Sequence, residues 1–472
     1  MDVLKRLNDK SLFLLSLLMT VIASYLSKGF LHPDEQYYAI DFAAYKVGLL
    51  DNLTTWEYQT KLRPWLLPAI YVPFLSLFKA LSFTPFTMAW LLRLLSGIVS
   101  WWALVRFNKK LKDFFPGSIS YNIFVFFTHF SFFCFFMQVR ANSENWSTAF
   151  ILLAVSLLIR KAPYLSDYII GGLFMGLAFS IRHQSGLICL GFGLWLLIVK
   201  QVGLRKWFGT FVPSILFGVG IGVLVDSWGY GELTFTPYNY VYQNLILDKI
   251  SQFGTSPFYS YVLWTLKDLT PLWFFVMFIG FWRIVIFENT KENSWVIWSV
   301  VPFVLVHLFI GHKELRFLYP IAPFLLYGGA HFFHERKVTL EPFRRYFYKA
   351  TVFVNFFLLL FVFFKPAYTP IGLYQYLYEN YPADTTVKVF LNENGRHANL
   401  EMPFYKRSNL SLIPETGMVK EGLYLTTRYK ELDHFTGSRC ERLYSTYPSW
   451  LFKFNFTNWL SRSSIWILTK CQ

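Results

Sequence analysis

The sequence predicts an all-α polytopic membrane protein of about eleven transmembrane helices, followed by a small C-terminal soluble α/β domain. Of the 472 residues, 54% are hydrophobic, 21% are aromatic and only 15% are charged. An ordinary soluble domain has about 25% charged residues. Apolar runs recur along most of the chain, and a helix of about 20 such residues crosses the hydrocarbon core of a bilayer. These observations exclude a water-soluble globular protein.

Twelve apolar runs supply the candidate spans. They lie near residues 11–29, 65–82, 87–105, 120–138, 145–159, 168–181, 186–199, 208–225, 269–287, 295–310, 317–333 and 347–364. Lys5, Arg6 and Lys10 precede the first run, and no convincing small-residue cleavage site follows it. We therefore expect an uncleaved first span with its N-terminus in the cytoplasm.

Lysine and arginine are unevenly distributed among the loops. The net charge of +16 raises the question of a nucleic-acid partner, but most basic residues occupy short loops between apolar runs. Sixteen lie in the loops 106–113, 160–167, 200–206, 283–292 and 334–349, and six lie in the intervening loops 138–145, 182–185, 226–268 and 311–316. Because basic loops remain in the cytoplasm, the intervening loops, the loop 30–64 and the C-terminal tail are predicted to lie outside. No nucleic-acid partner is expected.

This orientation leaves one net crossing for the runs 65–82 and 87–105. The first of them follows Pro64 and contains Pro68 and Pro73, which disfavour a regular transmembrane helix. We expect one of the two runs to be interfacial or re-entrant, unless the first run of the chain is misjudged.

The chain is predicted to divide after residue 365. Residues 1–365 form the membrane domain and residues 366–472 a soluble domain on the outer face. Short β-rich segments alternate there with Gly, Pro, Asn and charged stretches, at Thr386–Asn392, Leu423–Thr427 and Ser464–Thr469. Cys440 and Cys471 could pair if this domain faces an oxidising compartment.

Three polar clusters border the apolar runs. The first, Leu31-His32-Pro33-Asp34-Glu35-Gln36, places two adjacent carboxylates beside a membrane helix, where acidic residues are costly unless used or paired. The alternative is that Pro33 and Asp34 open and cap an amphipathic helix.

The other two clusters contain cations and aromatic rings. Thr54 to Tyr58, with Lys61 and Arg63, is a second set of charged and aromatic side chains, or part of an aromatic belt. The segment Gly311-His312-Lys313-Glu314-Leu315-Arg316-Phe317 places three potential cations at the head of a helix. These cations could hold a phosphate or anchor lipid headgroups.

Taken together, these strings resemble glycosyltransferase family 22. The matching strings are His32-Pro33-Asp34-Glu35, Thr55-Trp56-Glu57-Tyr58 with Arg63, and His312 to Pro320. Arg140–Asn145 and the loop from Asp226 to Phe258 match in the same order. The family comprises mannosyltransferases of the GT-C fold that use a lipid-phosphate mannose, and the chain is similar in particular to its branch that builds the glycosylphosphatidylinositol (GPI) core.

The resemblance implies an inverting transfer of mannose from polyprenyl (dolichyl) phosphate mannose to a hydroxyl group of a lipid-linked glycan. Asp34 is expected to be the general base on that hydroxyl, with Glu35 orienting the acceptor or a neighbouring cation. The expected ligands of the donor phosphate are His312, Lys313, Arg316, Arg63 and Arg140. The expected substrate contacts are His32, Trp56, Glu57, Glu314 and Asp226. No metal or other cofactor is expected, because the leaving group is a phosphomonoester.

Some alternatives remain open. A non-enzymatic lipid or solute transporter would also carry intramembrane charges, although we find no inverted repeat, and the charged motifs gather on one side of the bilayer. Asp226 could equally be a solvated helix end, and Trp56 an interfacial anchor.

The enzyme would be a multi-pass protein of the endoplasmic reticulum membrane in a eukaryote, or of the inner membrane in a bacterium. In a eukaryote, the Asn-x-Ser/Thr triplets would matter, and they begin at Asn52, Asn145, Asn409 and Asn455.

Overall fold

The computed structural model describes residues 8–115, 117–286, 291–333, 341–390, 402–407, 410–415, 420–435 and 439–472. Parts of several predictions lie outside these ranges: residues 287–290 and 334–340 of two basic loops, residues 391 and 392 of the first predicted strand, and Asn409. The chain forms two units. The first comprises Met1–Ser27, Asp34–Leu81 and Trp90–Lys365, and the second comprises Lys28–Pro33, Ser82–Ala89 and Pro366–Gln472.

The described part of the first unit consists of helices and loops, and the helix Pro85–Leu111 begins in the second unit and continues in the first. Its α-helices are Asp9–Leu26, Asp41–Lys46, Trp56–Gln59, Leu66–Ala80, Pro85–Leu111, Ser118–Phe130, Phe132–Gln138, Ser143–Leu158, Leu165–Ile181, Gly186–Ile198, Leu204–Lys206, Val212–Tyr230, Thr236–Val241, Ser260–Asp268, Thr270–Ile286, Trp295–Phe309, Ala322–Phe332 and Glu341–Phe364. Its π-helical or 3-10 segments are Glu35–Ile40, Lys112–Phe114, His183–Ser185, Trp207–Phe211, Tyr242–Ile246, Lys249–Phe253 and Leu315–Ile321. Each of the twelve predicted apolar runs is helical.

Length and composition distinguish the helices that can cross a membrane unaided. Within the described ranges four stretches qualify, at Asp9–Leu26, Pro85–Phe114, Leu204–Tyr230 and Pro342–Phe364, and a bent pair makes a fifth if it is counted as one span. The helix Leu66–Ala80 has 15 residues, too few to cross a core of about 30 Å at 1.5 Å per residue. The number of about eleven spans therefore stays a prediction.

Asn355 stabilises the bent pair. The helices Ser118–Phe130 and Phe132–Gln138 meet at 54°, because the intervening Ser131 is extended. Asn355 Nδ2 donates to the carbonyl of Phe130 at 2.8 Å, and Asn355 Oδ1 accepts from the amide of Phe132 at 2.9 Å. A broken helix within a membrane must have its free backbone groups bonded by protein. The single buried amide side chain of Asn355 supplies both bonds.

Glycines allow two helix pairs to approach closely. A Cβ at Gly176 would lie 2.3 Å from the carbonyl oxygen of Ile215, in the helix Val212–Tyr230. A Cβ at Gly280 would lie 2.1 Å from the amide nitrogen of Gly329. Helix association in membranes is driven by van der Waals packing and interhelical hydrogen bonds, and small residues permit the close backbone approach that such packing needs.

The second unit contains a mixed five-stranded sheet. The strands are β1 Thr386–Phe390, β2 Ser411–Glu415, β3 Gly422–Arg428, β4 Cys440–Ser445 and β5 Ser464–Cys471, in the order β2-β1-β3-β5-β4. β1 is parallel to β2 and β3, while β5 is antiparallel to β3 and β4. The helices are Ile371–Asn380, Trp459–Arg462 and the 3-10 turns Pro403–Tyr405, Tyr429–Phe435, Ser449–Lys453 and Phe456–Asn458. β1, β3 and β5 lie where the sequence predicted strands.

A disulfide joins Cys440 in β4 to the end of the neighbouring strand at Cys471. The sequence allowed this pairing in an oxidising compartment. The two cysteines are opposite each other in the β4–β5 register. Cys471 also packs with Tyr424 and Phe435 in a small buried cluster. The remaining cysteines, Cys134 and Cys189, are buried thiols.

Candidate functional site

Asp34 is held by two arginines. It precedes the π-helical turn Glu35–Ile40, and its backbone is already helical, at φ −55° and ψ −31°. Its Oδ2 accepts a hydrogen bond from Arg316 Nη2 at 2.9 Å and lies 3.0 Å from Arg63 Nη2. The side chain makes no capping hydrogen bond to the turn. The Asp34 carboxylate is therefore an ion-pair partner and not the cap that the alternative interpretation required.

Arg316 contacts three carboxylates at once. It lies in the 3-10 segment Leu315–Ile321, and its Nε donates to Glu314 Oε2 at 2.6 Å. Its Nη1 donates to Glu144 Oε1 at 2.6 Å, while its Nη2 donates to Asp34. Burial opposes the charged form of the guanidinium, but the attraction of the carboxylates outweighs burial and raises the pKa of Arg316 well above its ordinary value. Arg316 is thus a permanently charged centre for three acidic side chains.

Glu144 joins a second buried arginine to this centre. It lies in the first turn of the helix Ser143–Leu158, which Asn142 caps by accepting a hydrogen bond from the amide of Asn145 at 2.9 Å. The Glu144 side chain is fully buried, and its Oε1 lies 3.1 Å from Arg182 Nη1. Arg182 follows the apolar helix Leu165–Ile181, where the backbone turns to an extended conformation. A buried carboxylate is tolerated here because two guanidinium groups neutralise it.

Arg63 extends the ion pairs to the one-turn helix Trp56–Gln59. Its Nη2 lies 3.0 Å from Glu57 Oε1, in the one-turn helix Trp56–Gln59, as well as contacting Asp34. The guanidinium carbon lies 5.5 Å from the ring centroid of Tyr38, within cation–π range. Burial would lower the pKa of Arg63, but the carboxylates of Asp34 and Glu57 raise it above its ordinary value.

These groups form one connected cluster, which we call the carboxylate–arginine network. Its members are Asp34, Glu57, Arg63, Glu144, Arg182, Glu314 and Arg316. Four carboxylates face three guanidinium groups, so the network carries one excess negative charge when all are ionised. The members come from the loops 30–64, 138–145, 182–185 and 311–316, which the charge pattern assigned to the same side of the membrane.

Glu35 differs from its neighbour Asp34. Its side chain is buried, and its Oε1 accepts a hydrogen bond from the amide of Ala141 at 2.8 Å. It therefore fixes the turn that leads to Glu144. In the following turn, Gln36 Nε2 donates to Asp41 Oδ1 at 2.6 Å.

The predicted phosphate ligands lie in different settings. Arg316 and Arg63 belong to the network, and His312 joins it through Nε2, which lies 3.1 Å from Glu314 Oε1. The other two expected ligands contact backbone carbonyl groups. Lys313 Nζ donates to the carbonyl oxygen of Ile310, and Arg140 Nη2 donates to that of Ser27 at 2.9 Å. The guanidinium of Arg140 also packs 4.9 Å from the ring centroid of Phe136.

The predicted substrate contacts are likewise divided. Glu57 and Glu314 are in the network, whereas His32 groups with the second unit. Asp226 is buried, and its two oxygens accept hydrogen bonds from the amide of Trp65 at 2.6 Å and from Thr236 Oγ1 at 2.5 Å. Asp226 therefore links Trp65, which follows the loop 30–64, to Thr236. The ring of Trp56 stacks on Phe253, with 5.7 Å between centroids.

Two network residues received no role from the sequence. Glu144 and Arg182 occur in segments noted for other reasons, yet both lie beside apolar runs, where a charged side chain is costly unless it is paired or functional. That signal could be found for each residue taken alone. The pairing of Glu144 with Arg182 and Arg316 could not be predicted from the sequence, because it depends on how three distant segments meet.

An open cleft of about 550 Å³ lies in the first unit, beside the end of the one-turn helix Trp56–Gln59. It is lined by Gln59, Thr60, Lys61, Glu232, Leu233, Thr234, Phe235, Tyr238 and Asn239. Lys61 and Glu232 form an ion pair at this cleft, and Asn239 Nδ2 donates to the carbonyl of Lys61 at 3.0 Å. Gln59 ends the same short helix that carries Glu57, so the cleft and the network share that element.

A comparison with protein families gives an extended match. Residues 11–406 match the model of the Alg9-like mannosyltransferase family. The matched segment includes all seven residues of the network and the whole cleft.

Similar sequences occur among characterised or named proteins. The chain is 25% identical over 334 residues to GPI mannosyltransferase 3 of Candida albicans, a match that covers 69% of this chain and 64% of the relative. It is 26% identical over 311 residues to a probable Dol-P-Man:Man(7)GlcNAc(2)-PP-Dol alpha-1,6-mannosyltransferase of Schizosaccharomyces pombe, with 64% and 54% covered. The chain thus spans less than two thirds of the length of these relatives.

The fold is similar to that of a solved membrane protein. The crystal structure of ArnT from Cupriavidus metallidurans bound to undecaprenyl phosphate superposes with a TM-score of 0.52 and 10% sequence identity, covering 97% of both chains. At this identity the likeness concerns the fold alone. It agrees with the predicted GT-C architecture of membrane helices followed by a small C-terminal domain.

Proposed function

This chain belongs to the Alg9-like mannosyltransferase family, and from that premise we propose that it transfers mannose from polyprenyl-phosphate mannose to a hydroxyl group of a lipid-linked glycan. The relatives support the class of reaction, since both proteins of similar sequence are named as mannosyltransferases and one name specifies a dolichyl-phosphate mannose donor. The carrying observation is the contact between Asp34 and Arg316, which joins a candidate base to a candidate phosphate ligand.

In this proposal Asp34 is the general base. It takes the proton of the acceptor hydroxyl as that oxygen attacks C1 of the mannose. The bond between C1 and the phosphate oxygen breaks on the opposite face, and the electron pair leaves with the polyprenyl phosphate. Configuration at C1 is inverted, so a β-linked donor gives an α-mannoside. Asp34 is 19% exposed, whereas Glu35 is buried and bonded to a backbone amide.

The two arginines at Asp34 couple this proton transfer to departure of the phosphate. When Asp34 accepts the proton, Arg316 and Arg63 lose the charge of one ion-pair partner. The leaving phosphate gains one negative charge in the same step. We propose that the guanidinium groups then donate hydrogen bonds to the phosphate oxygens, for which their planar donor geometry is suited. His312, which lies 3.1 Å from Glu314 Oε1, is the third candidate ligand of this set.

The cleft is our candidate for the acceptor site. Its lining combines amide, hydroxyl and charged groups with the half-exposed rings of Phe235 and Tyr238. Such a mixture suits a carbohydrate, which offers many hydroxyl groups and apolar ring faces. The helix Trp56–Gln59 contributes Gln59 to the cleft and Glu57 to the network. An acceptor bound in the cleft would therefore have a hydroxyl group directed toward Asp34.

We propose that transfer takes place without a divalent metal. Each network carboxylate is paired with an arginine, which supplies the positive charge that a metal ion would otherwise bring. We further propose that the active site faces the endoplasmic reticulum lumen in a eukaryote or the periplasm in a bacterium. The disulfide between Cys440 and Cys471 supports an oxidising compartment for the second unit.

The direct test is transfer of radiolabelled mannose from polyprenyl-phosphate mannose into lipid extract by the purified protein in nanodiscs. Mass spectrometry of lipid-linked glycans from cells lacking the protein supplies the acceptor, because the intermediate that accumulates is the substrate. With a β-linked donor, release of the transferred mannose by an α-specific mannosidase then reports inversion. Uptake of a lipid or solute into vesicles, with no mannose transfer to any accumulating intermediate, would instead support a transporter.

A further inference from the structure

The turn 182–185 concentrates buried polar atoms that lack a partner. It lies between the helices Leu165–Ile181 and Gly186–Ile198, and its last three residues form the 3-10 segment His183–Ser185. Five of its buried side-chain atoms have no hydrogen-bond partner among the described residues: Arg182 Nε, Arg182 Nη2, His183 Nε2, Gln184 Oε1 and Ser185 Oγ. Buried polar groups are almost always hydrogen-bonded, so this concentration in four consecutive residues indicates that the turn contacts a ligand.

Arg182 presents one whole edge of its guanidinium group to such a ligand. The residue is 7% exposed, and its Nη1 donates to Glu144 Oε1 at 3.1 Å and to Ser143 Oγ at 3.3 Å. Nε and Nη2 have no hydrogen-bond partner within the described part of the chain. Their hydrogens point to the same side of the planar group and form the fork that binds two oxygens of a phosphate or carboxylate. Arg182 is thus anchored by one nitrogen and keeps a bidentate anion site on its other edge.

This edge belongs to an arginine beside the candidate phosphate ligand Arg316. Glu144 Oε1 accepts hydrogen bonds from Nη1 of both arginines. The ring centroid of Phe317 lies 5.0 Å from the guanidinium carbon of Arg182 and 5.2 Å from that of Arg316. The two guanidinium groups are therefore neighbours that share one carboxylate and one aromatic ring.

His183 offers a hydrogen-bond acceptor next to this anion site. Its Nδ1 lies 3.2 Å from the carbonyl oxygen of Phe179, and because a carbonyl only accepts, Nδ1 carries the hydrogen. Burial lowers the pKa of His183 to about 4, although the hydrogen bond to Phe179 acts in the opposite direction. The ring is therefore neutral at pH 7, and its Nε2 has a lone pair for a hydroxyl group.

Gln184 offers a second acceptor and joins the turn to the short helix Thr236–Val241. Its Nε2 donates to Tyr240 Oη at 2.9 Å, so its Oε1 is the atom left to accept. The rings of His183 and Tyr240 have their centroids 5.5 Å apart. Tyr238, in the same short helix as Tyr240, lines the cleft. The turn and the cleft therefore contact the same helix.

We propose that the turn 182–185 binds the glycosyl phosphate of the donor. The fork of Arg182 holds two phosphate oxygens, while His183 Nε2 and Gln184 Oε1 accept hydrogen bonds from hydroxyl groups of the sugar. A phosphate joined to a ring of hydroxyl groups matches a guanidinium edge followed by two acceptors. This inference rests on the proposed transfer reaction and adds to it the residues that recognise the donor sugar.

Two substitutions of His183 separate the roles of its two nitrogens. Asparagine can replace Nδ1 as the donor to Phe179, but it has no atom at the position of Nε2, whereas the amide of glutamine reaches that position. We expect His183→Asn to bind a short-chain polyprenyl-phosphate mannose about tenfold more weakly than the unaltered protein, which corresponds to the loss of one hydrogen bond. His183→Gln should restore most of this affinity. Both variants should bind polyprenyl phosphate, which has no sugar, as the unaltered protein does.

Arg182→Lys tests the fork. Lysine keeps a positive charge beside Glu144 but lacks a pair of parallel donors, so this variant should bind both ligands several-fold more weakly. His129→Asn is the matched control. His129 is fully buried, both of its ring nitrogens lack a hydrogen-bond partner among the residues described, and its ring lies 5.4 Å from that of Phe13. It should bind both ligands normally. Isothermal titration calorimetry of the full chain in phosphatidylcholine nanodiscs measures each affinity.

Unchanged binding of the mannose ligand by His183→Asn, or an equal loss for the two ligands, would show that His183 does not contact the sugar, and the proposal would be wrong. Competition by phosphatidylglycerol as strong as that by polyprenyl phosphate would identify a site for phospholipid headgroups and would also overturn it. If His183→Asn does not fold, as judged by gel filtration, Gln184→Met removes the second acceptor and is judged by the same outcomes.

The unaltered protein separates this inference from the proposed function. If it neither binds polyprenyl-phosphate mannose nor transfers mannose, the proposed function is wrong and this inference falls with it. If it binds and transfers, while His183→Asn and Arg182→Lys bind both ligands equally well, only the assignment of the turn is wrong.

Discussion

Glu144 and Arg316 lie 172 residues apart in the sequence, yet Glu144 Oε1 accepts a hydrogen bond of 2.6 Å from Arg316 Nη1. The same oxygen lies 3.1 Å from Arg182 Nη1. A single buried oxygen atom thus links the start of the helix Ser143–Leu158 to the end of the helix Leu165–Ile181 and to the loop that contacts Asp34. The position of Asp34 therefore depends on residues that do not touch it.

Removing the charge of Glu144 should disrupt this arrangement. Glu144→Gln leaves Arg182 and Arg316 facing each other across a neutral amide in a buried site. Breaking a buried ion pair typically costs about 3 to 5 kcal/mol, so we expect a large fall in thermal stability and loss of transfer. Thermal unfolding in detergent measures the first effect. Glu57→Gln, at a half-buried position, is the control and should cost much less. Unchanged unfolding of the Glu144→Gln protein would contradict a central role for this carboxylate.

Arg316→Lys should impair transfer more than folding. Lysine keeps the charge but has one nitrogen, which cannot replace three separately directed donors to Glu314, Glu144 and Asp34. Glu144 keeps Arg182 as a partner, so the protein should still insert and purify. The rate of mannose transfer at saturating acceptor measures the effect.

Lys313→Ala tests the remaining expectation from the sequence, since Lys313 Nζ donates to the carbonyl of Ile310. We expect Lys313→Ala to lower the rate of mannose transfer less than Arg316→Lys does, because the ammonium group of Lys313 bonds within its own loop. A greater loss in Lys313→Ala, with a raised donor KM, would make Lys313 the principal phosphate ligand instead.

A pH-dependent contribution to stability is expected from Asp41. Burial raises the pKa of Asp41 from 3.8 to about 7, although the hydrogen bond from Gln36 acts in the opposite direction. Because the folded protein binds this proton more tightly than the unfolded chain, Asp41 destabilises the protein above pH 7, and the penalty disappears as the pH falls toward 4. Asp41→Asn should therefore raise the unfolding temperature at pH 8 and change it little near pH 4. Asp51→Asn, in an exposed loop, is the control. If Asp41→Asn raised the unfolding temperature equally at both pH values, the raised pKa of Asp41 would be refuted.

The sequence predicted the architecture better than the site. Repeated apolar runs located the twelve helical segments, and alternation with turn residues located three of the five strands. Both signals are local and periodic. The number of spans was not settled, because several helices are shorter than a bilayer core and depend on neighbours for their depth.

In the site, too, the residues in local motifs could be predicted and the contacts between distant segments could not. Asp34, Arg63 and Arg316 were selected as chemically suitable residues in short motifs, and the structure brings them together. Their partners were harder to predict, because an ion pair between distant segments leaves no trace in either segment. Lys313 is adjacent to the network in sequence, yet its ammonium group bonds to a backbone carbonyl, since one-residue steps in a loop point side chains in different directions.

Chelation should leave the reaction unaffected. The network carboxylates are paired with guanidinium groups, so their charge is already balanced apart from one excess negative charge. We expect the same rate of mannose transfer in excess EDTA as in its absence, and no increase on adding Mg²⁺ or Mn²⁺. Loss of activity in EDTA that is restored by one of these ions would show that a metal takes part.

The base assignment separates two adjacent carboxylates. Asp34→Asn preserves the size of the side chain and one oxygen that can accept from Arg316 and Arg63, but it removes the proton acceptor. General-base catalysis contributes about 10² to 10⁴ in rate, and the loss should be of that size with normal expression. Because Asp34 does not cap the following turn, Asp34→Ala should also be produced, and should be equally inactive. Glu35→Gln keeps the oxygen that accepts from the amide of Ala141, so it should retain most activity. An active Asp34→Asn protein beside an inactive Glu35→Gln protein would move the base to Glu35, and would require the buried turn at Ala141 to open during the reaction.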